Sequence, residues 1–96
     1  MNYEWLIMED WTSGDQRTVN IVGPAGAALT MSEILRNSQA RAFRMLDDDG
    51  NLYYKGYYVG PEDGNLFAPL DDYGAPNAGC TSIEYFDIYT GEWSLI

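Results

Sequence analysis

The sequence predicts an α+β domain: a small antiparallel sheet of about six short strands, arranged as three hairpins, with one short helix packed on it. Three observations lead there. Strand-favouring residues alternate at a period of two in several short runs, turn clusters rich in Gly, Asp and Asn separate those runs, and one capping signature opens the single stretch with helical spacing. Ninety-six residues fit one domain, 1–96. A hydrophobic content of 46% with 15% aromatics supplies a core and argues against disorder.

The first strand is expected from Asn2 to Glu9, where Tyr3, Trp5 and Ile7 alternate with Glu4, Leu6 and Met8. Thr12-Ser13-Gly14-Asp15 reads as a turn, and the alternation resumes from Gln16 to Val22, so these two strands form a hairpin. Gly23, Pro24 and Gly26 then break the sheet. Thr30 followed by Glu33 is a capping box, in which the hydroxyl accepts the amide of residue 33 and the carboxylate accepts that of residue 30. A helix is expected from Met31 to about Ser38, with Met31, Ile34 and Leu35 as the stripe that docks on the sheet. Such a helix is too short to be stable alone.

The second hairpin pairs Ala42 to Leu46 with Leu52 to Val59 across Asp47-Asp48-Asp49-Gly50. A two-residue loop would set Arg44 opposite Lys55, whereas a three-residue loop with Gly50 left-handed moves Arg44 opposite Tyr54. Like charges facing each other are destabilising, which favours the three-residue form. The third hairpin runs from Thr81 to Ile88, turns at Thr90-Gly91 and returns from Glu92 to Ile96, with Trp93 and Leu95 on one face. Between the second and third hairpins, Gly60 to Cys80 holds three of the four prolines and four of the ten glycines, a spacing that predicts no regular element. Leu66, Phe67, Leu70 and Tyr73 predict that this loop packs on the body, and a loop of that length is usually functional.

Composition narrows the chemistry. The chain carries 15 Asp or Glu, 5 Lys or Arg and no His, for a net charge of −10 and a pI near 4.1. Without imidazole there is no Ser/His or Cys/His nucleophile pair and no common zinc constellation, so no enzyme and no cofactor are expected. Such a charge repels a phosphate backbone, so direct nucleic-acid binding is not expected. Cys80 is alone, which excludes an internal disulfide and fits a reducing compartment; it reads as a small buried filler. Met1 to Met8 lacks a basic n-region, no run of apolar residues is long enough to span a membrane, and the cytoplasm is the expected location.

Two acidic motifs invite a chemical reading and fail it. Were Gly50 the sixth residue of a calcium loop, its first and twelfth positions would be Met45 and Gly56, neither of them a ligand, so the Asp run is a turn and no metal is expected. Glu62-Asp63 and Asp71-Asp72 are adjacent pairs, whereas a glycosidase needs carboxylates set across a cleft. In the strand Tyr53-Tyr54-Lys55-Gly56-Tyr57-Tyr58, Tyr53 and Tyr57 share one face and Tyr54 and Tyr58 the other. One face is core, and the other is a rigid aromatic surface of the kind interfaces use.

The charge is unevenly spread. Residues 1–44 sum to −1 and residues 45–96, whose one cation is Lys55, sum to −9. Carboxylates on alternate strand positions stand about 6.7 Å apart, of the order of neighbouring phosphates. Small size, no His, a pI near 4, an aromatic sheet and clustered Asp, with the stretches Phe43 to Gly50 and Pro69 to Cys80, resemble the small acidic inhibitors of phages and mobile elements, the anti-CRISPR and anti-restriction proteins. That resemblance implies a non-enzymatic protein that occupies the basic, nucleic-acid-binding surface of a partner protein in a bacterial host. The candidate contact residues are Asp47, Asp48, Asp49, Glu62, Asp63, Asp71, Asp72, Tyr54, Tyr58 and Tyr73. The alternative is an interaction domain held by its tyrosine surface, with the charge only solvating, and self-association stays open.

Overall fold

A computed structural model describes residues 3–96. Six strands form one sheet: β1 (Glu4–Asp10), β2 (Arg17–Gly23), β3 (Arg41–Leu46), β4 (Leu52–Val59), β5 (Ser82–Asp87) and β6 (Glu92–Leu95). Their order is β2-β1-β4-β3-β5-β6 and every neighbouring pair is antiparallel, so the three expected hairpins lie side by side. Asn2, expected as the first strand residue, lies outside the described residues. Among the described residues no helix is long and apolar enough to cross a membrane.

One face of the sheet carries the core. Trp5 and Ile7 of β1, Phe43 and Met45 of β3, Tyr54 and Tyr58 of β4, and Ile83 and Tyr85 of β5 are all buried there. Aromatic edges meet aromatic faces across it: Phe43 and Tyr85 at 5.9 Å, Tyr58 and Tyr85 at 5.9 Å, Tyr54 and Tyr73 at 5.1 Å. Buried phenols need acceptors, and the backbone supplies them. The Tyr58 hydroxyl donates to the Pro61 carbonyl at 2.7 Å and that of Tyr85 to the Leu66 carbonyl at 2.6 Å. Tyr54 and Tyr58, expected at a partner surface, are therefore core residues. The phenol left on the outer face of β4 is Tyr57.

The segment expected as an irregular loop is helical and forms the lid on this core. A 3-10 turn at Gly64–Phe67, a wide π-type turn at Leu70–Gly74 and an α-turn at Ala75–Ala78 follow one another with right-handed backbone between them. The prolines are compatible because each falls where its missing N–H is not needed: Pro76 in a first helical turn, Pro69 at the start of the wide turn. They change the pitch and bend the helix without ending it. Asp63 starts the segment by accepting the Asn65 amide at 2.8 Å, and Gly79, at φ 70°, ends it. Gly74 lets it sit close on the sheet, since a Cβ there would lie 2.6 Å from the Met45 sulfur.

On the opposite face, α1 (Met31–Arg36) covers one end of the sheet. The capping box forms as expected: Thr30 Oγ1 accepts the Glu33 amide at 3.2 Å and Glu33 Oε1 accepts the Thr30 amide at 3.0 Å. The helix stops at Arg36, short of Ser38, because Asn37 is extended at ψ 122°. Of the expected stripe only Ile34 is fully buried, as is Leu6 on this face of β1; Leu35 stays 42% exposed. Burying one isoleucine contributes about 2–3 kcal/mol, which a six-residue helix needs from packing.

The β3–β4 register also differs from expectation. The turn itself is the three-residue form, with Gly50 left-handed at φ 81°, its amide on the Asp47 carbonyl and the Asp47 amide on the Asn51 carbonyl. A second irregularity then inserts Tyr53 between the pairs Leu46–Leu52 and Met45–Tyr54, and Arg44 does lie opposite Lys55. The like charges are tolerated because each has another partner. Arg44 reaches Glu84 at 2.7 Å, Lys55 has Glu9 across from it, and both cations lie over the Trp93 ring, at 4.5 and 5.9 Å.

Candidate functional site

The ten residues expected at a contact surface separate into three groups. The first is the β3–β4 turn. Asp47 is committed to it: its carboxylate accepts the amides of Asp49 and Asn51, at 2.9 and 2.8 Å, and the Asn51 side chain at 3.0 Å. Those bonds, led by Asn51, hold its carboxyl below the ordinary carboxylate range. Asp48 and Asp49 project into solvent. Among the described residues no group of three or more acids or cysteines is arranged to hold a metal ion.

The second group is Glu62, Asp63, Asp71 and Asp72, at the other end of the sheet. The six residues of β3 put about 20 Å between the two ends, so Asp47 to Asp49 do not join this group. Tyr3 and Tyr58 stack here with centroids 6.3 Å apart. Burial, then the charges of Asp63 and Glu62, push the Tyr58 phenol up to about 12; burial, then Asp72 and Asp71, raise that of Tyr3. The four carboxylates thus surround one aromatic stack. Asp72 has a structural task as well, accepting the Trp5 indole N–H at 3.0 Å and the Tyr3 hydroxyl at 3.4 Å.

The third group, Tyr54, Tyr58 and Tyr73, lies within the core packing. Tyr73 is half-buried from the bent helix and meets the rings of both Trp5 and Tyr54.

Two further acids continue the second group. A hollow of about 580 Å³ opens between the stretch after α1 and the β5–β6 turn, with Glu62 and Asp87 both on its walls and Ala42, Tyr57 and Phe86 on its floor. Asp87 in turn lies directly opposite Glu92 in the closing pair of the β5–β6 hairpin. The result is an arc of six carboxylates, Asp72, Asp71, Asp63, Glu62, Asp87 and Glu92, along one end of the sheet. Among the described residues Arg41 is the cation within it, and it is already paired with Glu62 and stacked on Tyr85 at 5.1 Å. Sequence reasoning missed Asp87 and Glu92, although the turn at Thr90-Gly91 places them opposite each other.

The other arginine ion pairs lie elsewhere. Arg17 binds Asp10 at 3.0 Å beside the β1–β2 turn and Arg44 binds Glu84 on the outer face. Among the described residues only three of the fifteen acids are in ion pairs, so the surface charge is left largely uncompensated. A second hollow of about 270 Å³ on the outer face, walled by Met8, Tyr57, Phe86 and Trp93, adjoins the first through Ala42, Tyr57 and Phe86. Cys80 is buried on the opposite face, and burial pushes its thiol up to about 11, so it is protonated at neutral pH. This arrangement sets an anionic rim beside an aromatic trough. No protein family, no curated protein and no solved structure matches the chain.

Proposed function

We propose that the protein is a non-enzymatic acidic binding protein that occupies a basic, nucleic-acid-binding surface of a partner protein, in the manner of a phage or mobile-element inhibitor. The observation that supports this best is the rim: six carboxylates in one arc whose single arginine is already neutralised. A field of that kind steers a Lys/Arg-lined groove toward it and repels nucleic acid itself. Asp48 and Asp49 form a separate anionic point at the far end of the sheet, able to reach a second part of a long groove.

A second reading rests on the aromatic trough of Tyr57, Phe86 and Trp93, which suits an interaction domain held by apolar contact. Salt separates the two. In a pull-down from bacterial lysate, a partner held by the rim is retained at about 50 mM salt and released at about 500 mM, because the Debye length shrinks severalfold. A partner retained equally at both would contradict the electrostatic reading and favour the trough.

A further inference from the structure

The sheet has two edges, and they are built differently. β2 is shielded: it pairs with β1 across a register shift, and Asn20 holds a left-handed backbone at φ 53° in its middle. Such irregularity blocks the addition of another strand. β6 has none of these devices. It pairs with β5 in four uninterrupted steps, contains no proline, lysine or positive-φ residue, and among the described residues has no strand on its outer side. Four of the seven large hydrophobic side chains exposed on the described chain, Ile88, Tyr89, Leu95 and Ile96, fall within residues 88–96, on this strand or its turn.

Charge identifies what fits. The acidic rim ends at this edge, where Asp87 and Glu92 oppose each other with no cation between them, a like-charge pair that costs stability. Trp93 and Leu95 point to one face of β6, Glu92 and Ser94 to the other. We infer that β6 is a docking edge for an extended segment of a basic partner, which adds as a seventh strand with apolar side chains beside Trp93 and Leu95 and Lys or Arg beside Glu92 and Asp87. A second copy of this chain is the poorer occupant, because it brings another −10 of charge to the same edge. With four residues to pair, the backbone bonds alone are few, so side-chain complementarity must complete the affinity. The inference rests on the proposed acidic-binding reading and adds the way in which the partner is held.

The test uses an acetylated, amidated octapeptide of alternating Lys and Val, and the same peptide N-methylated throughout, which keeps the charge and removes every backbone donor. Amide hydrogen exchange is followed by NMR on the full chain at low salt. The expected result is exchange slowed at least about tenfold at outward-facing amides of residues 92–96 by the first peptide only, with residues 17–23 unaffected. Leu95→Lys, at a side chain 65% exposed, should abolish the protection without unfolding the protein. If both peptides bind alike and the edge amides are unchanged, the edge inference is overturned while the acidic reading stands. Protection at β2, or self-association that slows residues 92–96 without peptide, overturns the inference too, and failure of both peptides to bind at low salt overturns both.

Discussion

Asp71 and Asp72 are adjacent, exposed and identical in charge, yet the structure gives them different work, and removing each in turn makes that visible. Asp72 is the acceptor for the indole N–H of Trp5, a side chain only 5% exposed, whereas among the described residues no hydrogen bond or ion pair holds the Asp71 carboxylate. Asp72→Ala leaves a buried donor unpaired and removes a charge-assisted bond, worth about 1.5–3 kcal/mol. For a domain of this size each kcal/mol moves Tm by about 4–8 °C, so a fall of at least about 6 °C is expected. Asp71→Ala should stay within about 0.5 kcal/mol of the parent, as exposed substitutions do. Both variants relieve the same negative charge, so their difference isolates the hydrogen bond. Asp72→Asn keeps an acceptor and should recover most of the loss. Thermal unfolding followed by tryptophan fluorescence is the assay, and equal melting temperatures for the two alanine variants would refute the clamp.

Three further outcomes follow from the core and the outer face. Burial, reinforced by Tyr73 at Tyr54 and by Asp63 at Tyr58, pushes both phenols from 10.0 up to about 12, and burial raises Tyr85 further still. The folded state therefore favours the neutral phenols, so their contribution is complete below pH 10 and is lost as pH rises from 10 through about 12; urea unfolding at pH 9 and pH 11.5 should show a large fall, and equal stability would contradict it. Cys80 should react with a thiol reagent at pH 8 at least about 100-fold more slowly in the native protein than in denaturant, because reaction requires opening of the bent helix over it. Trp93→Ala should cost about 1–2 kcal/mol by uncovering Arg44 and Lys55, and adding Lys55→Gln should return part of it; a strictly additive double mutant would mean the ring does not relieve the like-charge pair.

The strands, their hairpin pairing and the capping box at Thr30 were legible because each is a local signal: a period of two, a turn glycine, a hydroxyl three residues before a glutamate. What escaped was set by non-local packing. The irregularity at Tyr53 packs its ring against the core and sets Arg44 opposite Lys55, and the Glu84 and Trp93 that stabilise those cations lie far along the chain. The helix over residues 64–78 was hidden because its prolines and glycines, read one by one, signal interruption; lying over the core, they bend it and let it close on Met45. The tyrosines of β4 do not keep the strict alternation the sequence predicts: the irregularity at Tyr53 packs that ring against the core together with Tyr54 and Tyr58, so Tyr53 and Tyr57 no longer share a face. The excess of acids in the second half is legible in composition alone, and only the fold separates Asp47 to Asp49 from the rim and adds Asp87 and Glu92 to it.

The central claim is that the rim, and not the total charge, engages a basic partner. Two double variants carry the same charge change at opposite ends of the sheet: Asp71→Lys with Glu92→Lys in the rim, and Asp48→Lys with Asp49→Lys in the turn. Among the described residues none of these four carboxylates holds a hydrogen bond or an ion pair, so both variants should fold. Affinity for the partner captured at low salt, measured by titration calorimetry at about 50 mM salt, is the deciding quantity. The rim variant should lose at least about tenfold in affinity, roughly 1.4 kcal/mol, and the turn variant distinctly less. Equal losses from the two variants would contradict the rim and reduce the effect to net charge, and no loss from either would show the carboxylates to be merely solvating.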